Sequence, residues 1–165
     1  IPSIIYGLFG MLFFMTALKL KLSLISGALT LSIMVLPTIL RTTEEALLAV
    51  PESYREGSFG LGAGRLRTVW KIVLPSALPG IFAGVILAMG RIVGESAALI
   101  YTAGTVAKVP DSLFSSTRTL AVHMYALSSE GLYIDQTYAT AVVLLLIVVG
   151  INALSSRLAK SITKG

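Results

Sequence analysis

The sequence predicts an all-α integral membrane protein, a bundle of about four membrane-spanning helices. Hydrophobic residues make up 55% of the 165 residues and charged residues only 13%, and the mean hydropathy is +0.87. These values are typical of multi-pass membrane proteins. A hydrocarbon core of about 30 Å takes about 20 apolar residues per helix. Four apolar stretches therefore qualify as spans: 4–18, 22–40, 74–104 with interruptions, and 138–154.

Basic residues predict the orientation of these spans. The positive-inside rule places the basic connection 41–71 and the basic tail after residue 154 in the cytoplasm, and 105–136 outside. The net charge is +5, but the basic residues lie beside apolar segments and have no aromatic residues interleaved with them. They therefore do not indicate nucleic-acid binding. With an even number of spans and a cytoplasmic tail, the first residue is also predicted to lie in the cytoplasm. Ile1-Pro-Ser3 lacks the charged region of a signal peptide. We therefore expect this chain to be the C-terminal part of a longer protein. The basic residues are Arg41, Arg55, Arg65, Arg67, Lys71, Arg157, Lys160 and Lys164.

Several kinds of site are excluded by residue content. The chain has no cysteine, which excludes disulfides and thiolate metal sites. We predict that its single histidine, His123, makes an interfacial contact and is not a metal ligand. The spans contain no Ser–His pair, His-Glu-x-x-His run or paired aspartates, so an intramembrane hydrolase has little support.

The charged connection between the second and third spans, residues 41–73, predicts two short helices and a bend. Thr42-Thr-Glu-Glu45 has the pattern of a capping box that opens a helix over 44–50, and Pro51 either ends that helix or begins the next. The four glycines within 57–64 predict a sharp turn with positive φ. This segment completes neither nucleotide-binding glycine motif. The alternative is an ordinary polar connection.

The third span carries two opposite charges, Arg91 and Glu95, four residues apart in an apolar segment. A charge at the membrane centre costs about 2.5–3.5 kcal/mol on insertion scales, so the pair is predicted to face protein or water. The planar guanidinium suits a tetrahedral oxyanion, and Glu95 is predicted either to hold the guanidinium in place or to accept a proton from the ligand. The alternative is a structural ion pair. On a continuous helix the same stripe holds small residues that allow close helix packing: Gly80, Gly84, Ala88 and Ala98.

The second span has one face of small and polar residues. This face predicts either the lining of a substrate pathway or a helix-packing surface, and the sequence leaves both open. Its residues are Ser23, Ser26, Gly27, Thr30, Pro37 and Thr38.

The spacing from Glu56 to Pro75 resembles the coupling loop of ABC-importer permeases. That pattern is Glu-Ala-Ala, three residues, Gly, nine residues and Ile-x-Leu-Pro; here it is Glu56-Gly-Ser58, Gly62 and Ile72-Val-Leu-Pro75. Further segments make nearly the whole chain similar to the PstA-type permease of high-affinity phosphate ABC importers. These segments are Val50–Glu56, Leu61–Ala63, Leu74–Ile81 and Gly84–Ser96.

The resemblance implies the fold of a type I ABC importer (MetI-like) permease, with two N-terminal spans of a six-span core absent here. It implies a substrate pathway at Arg91 and Glu95 and no catalytic residue. Two places depart from the family pattern: Gly57-Ser58 replaces Ala-Ala, and Gly94-Glu-Ser-Ala-Ala98 replaces Gly-Glu-Thr-Ala-Pro. The residues implied in ATPase coupling are Glu56, Gly57, Ser58, Gly62, Ala63, Ile72, Leu74 and Pro75.

The resemblance also implies partners. These are a second, PstC-like permease, a PstB-like ATPase that holds ATP and Mg, and a PstS-like extracytoplasmic phosphate-binding protein facing 105–136. The chain itself would carry no cofactor and would lie among lipids of a bacterial or archaeal cytoplasmic membrane. Two alternatives are a permease for another oxyanion, such as sulfate or molybdate, and an energy-independent channel or scaffold.

Overall fold

Residues 2–163, which a computed structural model describes, form eight α-helices and no strand. Helix α1 continues into a π-helical segment at Met11–Ala17, and a second π-helical segment, Val69–Val73, joins α4 to α5. The all-α prediction is confirmed. The helices are α1 (Ser3–Gly10), α2 (Leu24–Leu48), α3 (Glu52–Gly60), α4 (Arg65–Thr68), α5 (Leu74–Val93), α6 (Ala97–Ile100), α7 (Leu120–Glu130) and α8 (Ile134–Thr163).

Three helical stretches are long and apolar enough to cross a membrane: Leu24–Leu48, Arg65–Val93 and Ile134–Arg157. The first predicted span is the shorter apolar helix Ser3–Ala17. In the sharp reversal after it, Lys19 and Lys21 adopt positive φ values of 56° and 57°. Of the basic residues used to predict orientation, Lys164 and the side chain of Lys160 lie outside the described part of the chain.

The predicted capping box at Thr42–Glu45 is wrong. Helix α2 runs without a break through these residues to Leu48. The Thr42 hydroxyl donates to the carbonyl of Thr38, one turn earlier, at 3.0 Å. A capping box needs unpaired N–H groups at a helix start. Here the preceding residues are already helical, so their carbonyls accept those N–H groups.

The predicted third span has different ends in the structure. The helix begins at Arg65 rather than at residue 74 and stops at Val93 rather than at 104. The π-helical segment ends at Val73, two residues before Pro75. Because proline has no N–H and its ring crowds the carbonyl four residues earlier, a wider turn here lets the helix pass the proline without ending.

The chain divides into two units. The first comprises Ile1–Leu36 and Gly90–Ile151. In it, α1 packs against α6 so closely that a Cβ at Gly7 would lie 2.9 Å from the Ala98 Cα. Its apolar core contains Leu99, Ala103 and Val122. Small residues therefore set the helix spacing in this unit.

The second unit comprises Pro37–Met89 and Asn152–Gly165. Its apolar core contains Val50, Val73 and Ala77. A Cβ at Gly80 would lie 2.7 Å from the Ala46 Cβ, and one at Gly84 would lie 2.7 Å from the Thr42 Cβ. The close approach predicted at these two glycines is confirmed, because only residues without a side chain leave α2 and α5 this near to each other.

Candidate functional site

The connection between α2 and α5 is built around α3. Pro51 precedes the helix with φ −53° and Glu52 occupies its first turn, an arrangement that suits a proline-started helix with an acidic N-terminus. Glu56 and Gly57 lie on exposed positions of α3. These two residues, predicted to take part in ATPase coupling, are therefore accessible.

Helix α3 ends in the turn that the glycines predicted. Gly62 has φ +81°; its N–H donates to the Phe59 carbonyl at 2.9 Å, and the Ala63 N–H donates to the Ser58 carbonyl at 3.1 Å. This pair of hydrogen bonds around a left-handed residue is a Schellman motif. The prediction of a sharp bend with positive φ is confirmed at Gly62.

A buried hydrogen bond holds the two sides of this turn together. The Ser58 and Thr68 hydroxyls lie 2.8 Å apart, and the two residues are only 5% and 1% exposed. The Thr68 hydroxyl also contacts the Gly64 carbonyl at 3.2 Å. Ser58 is thus an internal contact between α3 and α4, and its hydroxyl is directed away from solvent.

The outer side of the turn forms a pocket of about 280 Å³. Two cationic side chains, Arg67 and Lys71, share it with apolar and backbone surface. The pocket brings together four of the predicted coupling residues, Ser58, Gly62, Ala63 and Ile72. An acidic or polar group of a partner would find both charge and backbone surface here.

Leu74 and Pro75 lie at the start of α5, away from that pocket. Leu74 is half-buried and Pro75 is exposed. Pro75 lines a larger, mostly apolar cavity of about 650 Å³ between the end of α2, the start of α3 and the first turns of α5. The structure therefore divides the predicted coupling residues between the turn and the base of the membrane helix.

Arg55 makes contacts that the sequence did not predict. Its guanidinium donates through Nη2 to the Leu47 carbonyl at 2.8 Å and through Nη1 to the Val50 carbonyl at 3.2 Å. The Leu47 carbonyl belongs to the last turn of α2, where carbonyls lack helical partners, and the Val50 carbonyl lies in the connection that follows. The sequence marks Arg55 only as one of several positive charges, since nothing in its spacing signals this role.

The predicted helical pairing of Arg91 with Glu95 is wrong. Helix α5 ends at Val93, two residues after Arg91, and Glu95 lies in the break before α6. Among the described residues, no carboxylate oxygen lies within 4.0 Å of the Arg91 guanidinium. The stripe that was expected to run from Gly80 to Ala98 therefore ends with α5.

Glu95 instead caps the N-terminal end of α6. Its Oε1 accepts a hydrogen bond from the Ala98 N–H at 3.1 Å, and the residue is only 9% exposed. A glycine followed by a capping residue is a signal for the end of one helix and the start of another. Gly94-Glu-Ser96 carries that signal, which the apolar periodicity of the segment obscured. Arg91 remains exposed.

The polar face of α2 packs inside the first unit. Ser23, Ser26 and Thr30 are at most 1% exposed. Their hydroxyls bond to one another or to carbonyls: Ser23 to Ser26 at 3.0 Å, and Thr30 to the Ser26 carbonyl at 2.8 Å. A Cβ at Gly27 would lie 2.8 Å from the Ala103 Cβ. For these four residues the structure favours the packing interpretation over the lining of a pathway.

His123 lies in an open depression of about 370 Å³ on the predicted outer segment, beside Lys108 and Arg118. Within residues 2–163, no three His, Cys, Asp or Glu side chains lie close enough to hold a metal ion. Lys108 is paired with Asp111 at 2.6 Å. The histidine is thus part of a mixed, mainly basic surface.

Comparison with known families agrees with this arrangement of long apolar helices. The binding-protein-dependent transport system inner membrane component family matches residues 1–165. The chain belongs to this family. It is accordingly a transport permease and a multi-pass membrane protein.

Individual relatives of this permease support the assignment. A probable ABC transporter permease, YqgI of Bacillus subtilis (strain 168), is 38% identical over 82% of this chain and 50% of its own length. A phosphate transport system permease protein PstA homolog of Mycoplasma pneumoniae is 38% identical over 95% of this chain and 25% of its own length. The chain thus spans half or less of these relatives.

A solved structure shows the same fold. It is an inward-facing crystal form of the MetNI methionine ABC transporter, matched with a TM-score of 0.81 and 25% identity over 98% of this chain and 69% of that one. The predicted MetI-like permease fold and the PstA-type resemblance are both confirmed.

Proposed function

We propose that this permease is the transmembrane subunit of an ATP-driven importer of inorganic phosphate. The main support is the structure of residues 51–73, which we call the coupling segment. In it, a short exposed helix is followed by a Schellman turn that leads directly into a membrane helix. A channel or scaffold has no need of such a segment. The PstA name of the Mycoplasma pneumoniae relative supports phosphate as the substrate.

The coupling role belongs to the turn and to the base of α5. Glu56 and Gly57 offer an exposed helical face, and Gly62 and Ala63 offer backbone beside the basic pocket. A partner that seats there would push on α4, which continues through Ile72 and beyond into α5. The residues proposed for ATPase coupling are Glu56, Gly57, Ser58, Gly62, Ala63, Ile72, Leu74 and Pro75.

The pathway role belongs first to Arg91. Its exposure on the last turn of a long apolar helix supports a position facing water or another subunit, because a charge facing lipid is costly. Its five donors suit a phosphate oxyanion. Glu95 contributes by fixing the helix break next to Arg91, rather than by pairing with its charge.

The partners follow from this function. A PstC-like permease would complete the pathway, a PstB-like ATPase would hydrolyse ATP with Mg, and a PstS-like protein would deliver phosphate. The proposed location is the cytoplasmic membrane of a bacterium or archaeon. ATP hydrolysis belongs to the partner, and this chain provides the path and the mechanical link.

Uptake by the complete transporter in proteoliposomes tests the proposal. We expect labelled phosphate to accumulate only with the ATPase, ATP and the binding protein present, and excess sulfate or molybdate to leave phosphate uptake unchanged. Uptake that follows sulfate or molybdate instead would identify another oxyanion permease. Phosphate flux that persists without the ATPase would identify an energy-independent channel.

A further inference from the structure

The connection between α2 and α3 is short and is crossed by one charged side chain. Helix α2 ends at Leu48 and α3 begins at Glu52. Arg55, on the second turn of α3, returns to bind the Leu47 and Val50 carbonyls. We call these two hydrogen bonds the Arg55 bridge.

The bridge is favourable for electrostatic as well as geometric reasons. The last carbonyls of a helix lack partners and carry partial negative charge, so a guanidinium beside them is stabilising. One planar fork reaches both acceptors, and hydrogen bonds from a charged donor are stronger than neutral ones. Arg55 is also partly shielded from water, which lessens competition for its donors.

The bridge fixes an angle that the backbone leaves adjustable. Three residues, 49–51, separate the two helices, and φ/ψ changes at a few such positions are enough for a hinge. Val50, at the centre, is buried against Val73 and Ala77, but those contacts are apolar and non-directional. The Arg55 hydrogen bonds are directional, and the one to the Leu47 carbonyl joins α3 to α2 itself.

We infer that Arg55 is a positioning residue that transmits displacement of α3 to membrane helix α2. The inference rests on the proposed coupling function and adds a second route to it. Motion of the turn reaches α5 through the continuous chain after Arg65, and it reaches α2 through the Arg55 bridge. Without the bridge, α3 pivots at residues 49–51 and α2 does not follow it.

The complete transporter in proteoliposomes provides the test, with phosphate imported per ATP hydrolysed as the readout. In Arg55→Gln the phosphate imported per ATP should fall about tenfold, since hydrogen bonds from a charged donor are lost. Arg55→Lys keeps the charge but not the planar fork, so its phosphate imported per ATP should lie between the values of the wild type and Arg55→Gln. A purely structural role would lower the amount of assembled transporter and leave this ratio unchanged.

A matched control is Arg41→Gln. Arg41 lies on α2, but its side chain is 82% exposed and pairs only with Glu45, itself 64% exposed, at 3.2 Å. Such exposed pairs contribute little, so the ratio should stay at the wild-type value. The absence of cysteine also allows spin labels on Glu44→Cys and Ser53→Cys, whose distance distribution should broaden in Arg55→Gln.

An assembled Arg55→Gln transporter with the wild-type ratio and distance distribution would overturn the inference. If Arg55→Gln does not assemble, Arg55→Lys decides in the same way: a lowered ratio supports the bridge and an unchanged ratio refutes it. The proposed function fails separately, when the wild-type transporter imports no phosphate.

Discussion

Residue spacing predicted the local structure correctly in the coupling segment, residues 51–73. It predicted the wrong local structure in the segment around Arg91, residues 91–98. In the first, glycine spacing predicted the turn, and the structure has it at Gly62. In the second, charge spacing predicted a helical ion pair, and the structure has a helix break with Glu95 on the backbone of α6.

The difference lies in how far apart the deciding contacts are in the chain. The Schellman turn is made by residues 58–63 alone, so a local pattern is sufficient. The 91–98 segment packs against α1, where the backbone of Ala98 lies close to Gly7. Gly94-Glu-Ser96 gives a local signal for the break, but contacts with residues far apart in sequence also act on this segment, and periodicity does not report them.

The largest expected effect separates an oxyanion role of Arg91 from a structural one. Arg91→Gln should abolish phosphate uptake, and Arg91→Lys should lower it about tenfold or more because Lys lacks the planar fork. Assembly with the partner subunits should persist in both variants. Arg41→Lys serves as the exposed control, with uptake unchanged. Wild-type uptake by an assembled Arg91→Lys transporter would remove the pathway role.

The next effect tests whether the turn at Gly62 matters as strongly as its geometry indicates. Gly62→Val forces a β-branched residue to φ +81°, at a cost of about 1–2 kcal/mol or more. Uptake and phosphate-stimulated ATP hydrolysis should fall about tenfold, because the turn that we propose to face the ATPase would distort. Asparagine tolerates positive φ better, so Gly62→Asn should retain most activity.

Gly60→Ala is the matched control for that substitution. A Cβ there meets nothing within 4 Å, and alanine suits the last turn of α3, so activity should be retained. Equal activity of Gly62→Val, Gly62→Asn and the wild type would show that the positive φ at this position has no role in coupling.

A smaller effect sharpens the comparison at Glu95. If Glu95 acts as a hydrogen-bond acceptor for Ala98, Glu95→Gln retains the acceptor and should keep most uptake. Glu95→Ala loses it and should lower stability by about 1 kcal/mol, the usual cost of a lost helix cap, measured by thermal unfolding in detergent. A Glu95→Gln variant that is as inactive as Arg91→Gln would instead show that the charge of Glu95 is required.

The least perturbing test concerns orientation. Single cysteines at Ser53 and Ser129, both exposed, should be labelled from opposite sides of the membrane: Ser53→Cys only after permeabilisation and Ser129→Cys from outside intact cells. The chain has no native cysteine, so the background is clean. Labelling of Ser53→Cys from outside would reverse the predicted topology and place the coupling segment away from any cytoplasmic ATPase.

The sequence by itself determined the membrane class, the three helices that are long enough to span, the helix that starts after Pro51 and the turn at Gly62. These depend on apolar content and on interactions within about six residues, which composition and spacing report directly. Even the close approach at Gly80 and Gly84 was predictable, because the absence of a side chain permits it whatever the neighbour.

Only the tertiary structure decided where the third span ends, that Thr42–Glu45 lie inside α2, and which polar side chains meet. The Ser58–Thr68 hydrogen bond and the Arg55 bridge join residues ten and eight positions apart across a change of helix direction. Their partners depend on that direction. A hydrogen bond is satisfied by whichever donor and acceptor the fold brings within about 3 Å, and no linear spacing specifies that meeting in advance.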